Sequence, residues 1–169
     1  MATGGEWLAR WKELADSGDP DAQIVVAWEY VKGKLIPKDF DRAVALFKAA
    51  ERSKGRLARF NLAKAMLLNR DPSFRNVISD DCAAGFGSAL YLVGVSEAKG
   101  IFGNKNLDEA VRYFSLAARD GHITSEFFAW RLQRKSVVCW IRTIPYAVRL
   151  TLRYIPIYLA DSTDLRVTW

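Results

Sequence analysis

Apolar residues along this chain recur three and four positions apart. In DRAVALFKAA they fall at Ala43, Val44, Leu46, Phe47 and Ala50, and in DEAVRYFSLAA at Ala110, Val111, Phe114 and Ala117. That spacing predicts helices with one buried face. Nothing alternates with a period of two, so strands are not expected. The breaks between apolar runs carry helix punctuation. Gly33 and Gly100 follow the last turn of a predicted helix, where a left-handed cap suits glycine. Asp39, Asp41 and Asp108 then stand at the start of the next helix, where carboxylates satisfy free N–H groups and the helix dipole.

The pattern repeats. Shifting the segment that ends at Ala50 by about 67 residues lays it, without a gap, on the one that ends near Ala118. Gly18 meets Gly85, Ala22 meets Ala89, Gly33 meets Gly100, Phe47 meets Phe114 and Ala50 meets Ala117. This offset is close to two units of a short helical repeat. A middle unit lies between them, with Leu57, Ala58, Leu62, Ala63 and Met66 in its first helix and a shorter second half, PSFRNVISDDCAAG. A last first helix follows in GHITSEFFAWRL, and GEWLARWKELA supplies a helix in front. The chain reads as three and a half helix pairs. Ala22, Ala58 and Ala89 are expected where neighbouring helices approach closely.

These residues resemble the Sel1-like repeat family, which is related to the tetratricopeptide repeats. Ala15, Gly18, Ala22, Val26, Ala27, Tyr30 and Gly33 fit the first half of its unit, and Asp39, Ala43, Phe47, Ala49 and Ala50 the second. The later unit has Gly85, Ala89, Val93, Gly94, Gly100, Ala110, Phe114, Ala117 and Ala118, but places Glu97 where tyrosine is usual. The resemblance implies an all-α fold, an α-solenoid of antiparallel helix pairs over residues 1–135, with an amphipathic extension over 136–169. It also implies a non-enzymatic adaptor or scaffold that binds a protein partner, of the kind that serves bacterial envelope, polysaccharide or signalling systems. The paired cysteines of the exported, disulfide-stapled branch are missing.

Chemistry adds little. The only histidine, His122, follows Gly121 at a predicted helix start and reads as a cap or surface residue. Cys82 and Cys139 are far apart, without a metal-binding spacing. Asp80 and Asp81 are sequence neighbours that diverge on a helix, so they read as a solvated acidic pair. GIFGNKN lacks the lysine and hydroxyl spacing of a phosphate-binding loop. No catalytic residue, cofactor or metal is expected. Most of the aromatic residues should be core, with Trp28, Tyr30 and Trp130 the candidates for partner binding. The net charge of +6 allows nucleic acid as an alternative partner, through Lys54, Arg56, Arg59 and Lys64, but no nucleic-acid motif accompanies it.

The end of the chain changes the picture more. Between Glu126 and Asp161 there is no acidic residue, and Lys135, Arg142, Arg149 and Arg153 step along one helical stripe. With Trp140 and Tyr154 among the apolar positions, this is the make-up of a helix lying on an anionic membrane surface or against a membrane protein. Its arginines break the roughly 20-residue apolar stretch that a span needs. Pro145 and Pro156 divide it, and it is equally suited to capping the unfinished last repeat. The N-terminus lacks a basic stretch followed by an apolar run, so the expected location is the cytoplasm, with the tail at the inner membrane face.

Overall fold

The structure is a computed structural model that describes residues 4–133, together with Val148 and Leu152. The tail residues expected to dock, Lys135, Trp140, Arg142, Arg149, Arg153 and Tyr154, lie outside the described residues, as does Cys139. Among the described residues every regular element is a helix, as the apolar spacing requires. None of these helices is long and apolar enough to cross a membrane.

The chain divides into two compact units, Met1–Ile78 and Ser79–Trp169. The first holds α1 (Gly4–Asp16), α2 (Pro20–Lys32), α3 (Phe40–Lys54), α4 (Arg56–Leu68) and the single turn α5 (Phe74–Val77). The second holds α6 (Ser79–Ala83), α7 (Gly87–Lys99), α8 (Leu107–Arg119) and α9 (Ile123–Gln133). The long pairs are α2 with α3 and α7 with α8. The short second half of the middle unit becomes the two fragments α5 and α6.

Local chemistry fixes where each helix begins and ends. In α2 the Asp19 carboxylate accepts from the Ala22 N–H at 2.7 Å, and Pro20 occupies the first turn, where its missing N–H costs nothing. The loops of the two long pairs are built alike. The Tyr30 carbonyl accepts from the Asp39 N–H at 3.2 Å, and the Glu97 carbonyl accepts from the Asn106 N–H at 3.1 Å. The Asp39 side chain then caps Arg42 N–H at 3.0 Å, as the Asn106 side chain caps Glu109 N–H at 3.1 Å. Every partner in one loop stands 67 positions from its counterpart in the other, so the sequence repeat is a repeat of hydrogen bonds.

The small residues do what their pattern predicts. Ala22, Ala58 and Ala89 are buried where helices meet. Phe47 and Phe114 fill the centres of their helix pairs. At Gly100 the backbone is left-handed (φ 61°), and an added Cβ would lie 2.8 Å from both Gly103 O and Lys105 N. At Gly33 (φ 67°) the crowding comes from the flexible Lys38 side chain instead. Gly100→Ala is therefore expected to cost at least about 1–2 kcal/mol, the left-handed penalty plus the backbone crowding. Gly33→Ala is expected to cost less, because Lys38 can move. Denaturant titration of both variants checks the order; a Gly33 variant at least as damaged would contradict it.

Candidate interaction surface

The first unit carries two clefts, and Tyr30 lines both. The first, about 440 Å³, is bounded by Lys12 and Asp16 of α1, Tyr30 of α2, and Arg42 and Leu46 of α3. Ala15, Ala22 and Val26 form the buried floor against which Trp11, Tyr30 and Leu46 pack. The Tyr30 ring faces two cations, with Lys12 Nζ and the Arg42 guanidinium each 5.8 Å from its centroid. Arg42 also donates to the Tyr30 hydroxyl at 3.4 Å and pairs with Asp39 at 3.1 Å.

The second cleft, about 370 Å³, is bounded by Trp28, Tyr30, Lys32, Lys38, Phe40, Leu68 and Asn69. Trp28 is held from three sides. Its indole N–H donates to Asn61 Oδ1 at 2.8 Å, its ring meets Phe47 edge-on at 5.6 Å, and Lys64 Nζ lies 5.8 Å from its centroid. Asn61 in turn donates to the Leu57 carbonyl at 2.8 Å, which orients its side-chain oxygen toward Trp28. Burial and the nearby Lys32 charge push the Lys64 ammonium below the ordinary lysine range. Leu68, 64% exposed at the end of α4, supplies an apolar lip.

Trp28 and Tyr30 are both half-buried, so neither side of α2 presents a fully exposed ring. The third aromatic candidate, Trp130, lies in the second unit. It is half-buried on α9, 6.0 Å from the Phe127 ring centroid. Not every aromatic is core: Trp7 is exposed on α1 beside the half-buried Trp11.

Two chemistry-bearing groups lie deeper than the sequence pattern indicates. Asp81 is buried, not solvated, because α6 turns it inward. His122 is buried rather than on the surface, and acts as a cap. Its Nδ1 stands 3.2 Å from the Ser125 N–H and 2.8 Å from the Ser125 hydroxyl. A backbone N–H can only donate, so Nδ1 accepts and the ring proton sits on Nε2. The Ser125–His122 spacing is that of a nucleophile and its base, yet both side chains are almost wholly inaccessible, at 0% and 1% exposure. A substrate has no route to them in this arrangement.

The cations of the cleft walls went unnoticed in the sequence as a group. They come from α1, α2, α3 and the loop after α2, and only the fold gathers them. A signal was nevertheless present. At the repeat offset, Tyr30 corresponds to Glu97, Arg42 to Glu109 and Trp28 to Val95. The caps and loop bonds are kept while these side chains change chemistry, with Tyr30 the residue usual for the repeat and Glu97 the departure from it.

Comparison with protein families finds a match to the Sel1 repeat at residues 20–53 and again at 87–122. The chain carries two Sel1 repeats. The two matches take in α2 with α3 and α7 with α8, the two pairs with superimposable loop chemistry, while the shortened middle unit lies between them. Among solved structures, a Sel1 repeat protein from Oxalobacter formigenes is similar at 26% identity, over 75% of this chain and 96% of that one, with a TM-score of 0.45. Comparison with the curated proteins gives no match. Sel1 repeats generally mediate protein–protein interaction.

Proposed function

We propose that this chain is a non-enzymatic adaptor that holds a protein partner on the face of its first repeat, around Trp28 and Tyr30. The observation that carries the reading is the divergence of two otherwise matched repeats. Tyr30 and Arg42 stand where the later repeat has Glu97 and Glu109, on the same scaffold of caps and loop bonds. Rings with one apolar face and one polar edge are well suited to anchor a partner, because they bury area at little entropic cost. The nucleic-acid alternative draws less support from the described residues. Lys54 pairs with Asp21 at 2.8 Å and Arg59 with Glu51 at 3.3 Å, so part of the middle-unit basic cluster is already neutralised.

The test exchanges the repeats' own residues. Tagged protein is recovered from cells in mild detergent as the unaltered chain, as Tyr30→Glu and as Glu97→Tyr. The partner is expected to be retained by the unaltered chain and Glu97→Tyr and lost from Tyr30→Glu. Recovery of the same partner with all three proteins would sink the reading.

The second part of the proposal concerns the basic segment 136–169, with Lys135 at its edge, as a dock on an anionic membrane surface or a membrane protein. Its support is the sequence stripe of Lys135, Arg142, Arg149 and Arg153 with Trp140 and Tyr154. Full-length protein is expected to sediment with anionic vesicles and the form lacking 136–169 to stay in the supernatant. Equal behaviour of the two forms would remove the membrane role and leave the adaptor role intact.

A further inference from the structure

The two clefts beside Tyr30 differ in charge. The first is bounded by Lys12 and Arg42 but also by Asp16, and Arg42 is already paired with Asp39. The second is bounded by Lys32 and Lys38 and by no carboxylate. Lys32 has a partner in Glu29, at 3.5 Å, but Lys38 and Lys64 form no ion pair among the described residues. The Lys38 side chain passes over Gly33, where an added Cβ would run into its Cγ. Lys64 stands over the Trp28 and Phe60 rings at 5.8 and 5.9 Å, with Lys32 close enough to repel it. The cleft that Trp28 lines is thus bordered by Lys38 and by Lys32, itself paired with Glu29, while Lys64 stands over the Trp28 ring. Between them lie Trp28, Phe40 and Leu68, an apolar floor and lip.

We propose that the cleft between Trp28 and Leu68 receives an acidic segment of a partner protein, its carboxylates meeting Lys32 and Lys38 and an apolar side chain of that segment seated against Trp28, Phe40 and Leu68. This rests on the first repeat being the partner-binding face. Charge complementarity selects the occupant. The chain's own residues 134–160 contain no acidic residue and bring Arg134, Lys135, Arg142, Arg149 and Arg153, the same sign as the cleft. They are the wrong occupant for it. Nucleic acid satisfies the cations but leaves Leu68 and Phe40 without an apolar group to cover them.

The test uses the full chain and a phage library of random-sequence peptides. Peptides retained by the unaltered protein are sequenced, and the most frequent are synthesised. Their affinities are then measured by fluorescence anisotropy. Selected peptides are expected to be enriched in Asp and Glu next to Leu, Phe or Trp. Their affinity is expected to fall about tenfold or more on Lys32→Glu/Lys38→Glu, by an intermediate amount on Lys32→Gln/Lys38→Gln, and less than about twofold on Lys99→Glu, a control at an exposed lysine of α7. Raising salt from about 50 to about 300 mM is expected to weaken binding to the unaltered protein and hardly to change it for the double Glu variant. Circular dichroism is used to check that the variants keep their helices.

Selection without acidic enrichment overturns the proposal, as does selection of acidic peptides that bind the double Glu variant equally well. Equal competition by a single-stranded oligonucleotide of matched charge also overturns it, in favour of polyanion binding. Failure to select any peptide counts against it in the same way. If the selected peptides are neutral but lose affinity on Trp28→Ala, the acidic preference falls while the adaptor face stands. If they bind Trp28→Ala and both lysine variants unchanged, the face falls too.

Discussion

Phe114→Ala is expected to destabilise the second unit by about 3–5 kcal/mol, at the upper end of that range. The ring is wholly buried on α8, stacked on Phe128 at 5.4 Å and tilted against Tyr91 at 5.9 Å. Beneath it lies Gly94 of α7, where even a Cβ would come within 2.7 Å of Phe114 Cε1. Glycine at that point lets the ring sit directly on the α7 backbone. It also means that α7 has no side chain directly beneath the ring to fill the hole once the ring is gone, so most of the cavity persists and its cost is felt. The first unit makes the comparison. Phe47 is equally buried, but its counterpart below is Ala27, and its edge-on neighbour Trp28 is only half-buried and borders an open cleft. Trp28 can swing into the space that Phe47→Ala leaves, so that variant is expected to lose less. Thermal melts followed by circular dichroism should show Phe114→Ala lowered by more than about 10 °C and Phe47→Ala by less. A Phe114→Ala melt within a few degrees of the unaltered protein would mean that the ring does not organise its pair. The reverse order of the two variants would mean that the glycine contact is not what makes the difference.

The same pair of phenylalanines shows how far the sequence could be read. Their common distance of 67 residues, and that of the glycines and alanines around them, gave the helix pairs, the alanine contacts and the capped loops. Those features depend on groups close in sequence or on small residues whose role is to be small, so spacing is enough to find them. The division at Ile78 is a different matter. PSFRNVISDDCAAG is visibly short, but no periodicity survives in runs of four and five residues to say where it breaks. Asp81, and His122 in its role as a cap, lie deeper than the sequence pattern indicates for a related reason. Burial of a single polar residue is decided by what covers it, and the covering groups come from other helices.

The candidate surface divides in the same way. That Trp28 and Tyr30 belong to the first helix of a repeat is plain from the spacing. That Lys12, Arg42, Lys32 and Lys38 surround them is not, because these residues lie on α1, α2, α3 and a loop, and only their docking defines the clefts. The departure of Glu97 from the usual tyrosine was visible in the sequence, but it became informative only when the loops on either side proved to share their hydrogen bonds.

His122 provides a test within the second unit, at the turn between α8 and α9. Its imidazole stacks on Tyr91 at 4.8 Å while Nδ1 accepts from the start of α9. The adjoining Asp120 carboxylate accepts from the Gly87 N–H at 2.7 Å and so satisfies the first turn of α7, which has no side-chain cap of its own. One turn thus ends α8, starts α9 and closes the N-terminus of α7. His122→Ala removes the cap, worth about 0.5–2 kcal/mol, and the stacked ring, worth about 0.5–1.5 kcal/mol beyond its burial, for an expected loss of about 2–3 kcal/mol. His122→Asn keeps an acceptor at the cap but not the ring, so it is expected to recover about 1 kcal/mol of that loss. A catalytic histidine would behave otherwise, because asparagine would not restore it and stability would be indifferent to either change. Denaturant titration of the two variants separates these cases. Equal destabilisation by Ala and Asn would remove the capping role and leave packing on Tyr91 as the whole contribution. Loss of less than about 0.5 kcal/mol in both would mean that the turn is held by Asp120 and the backbone alone.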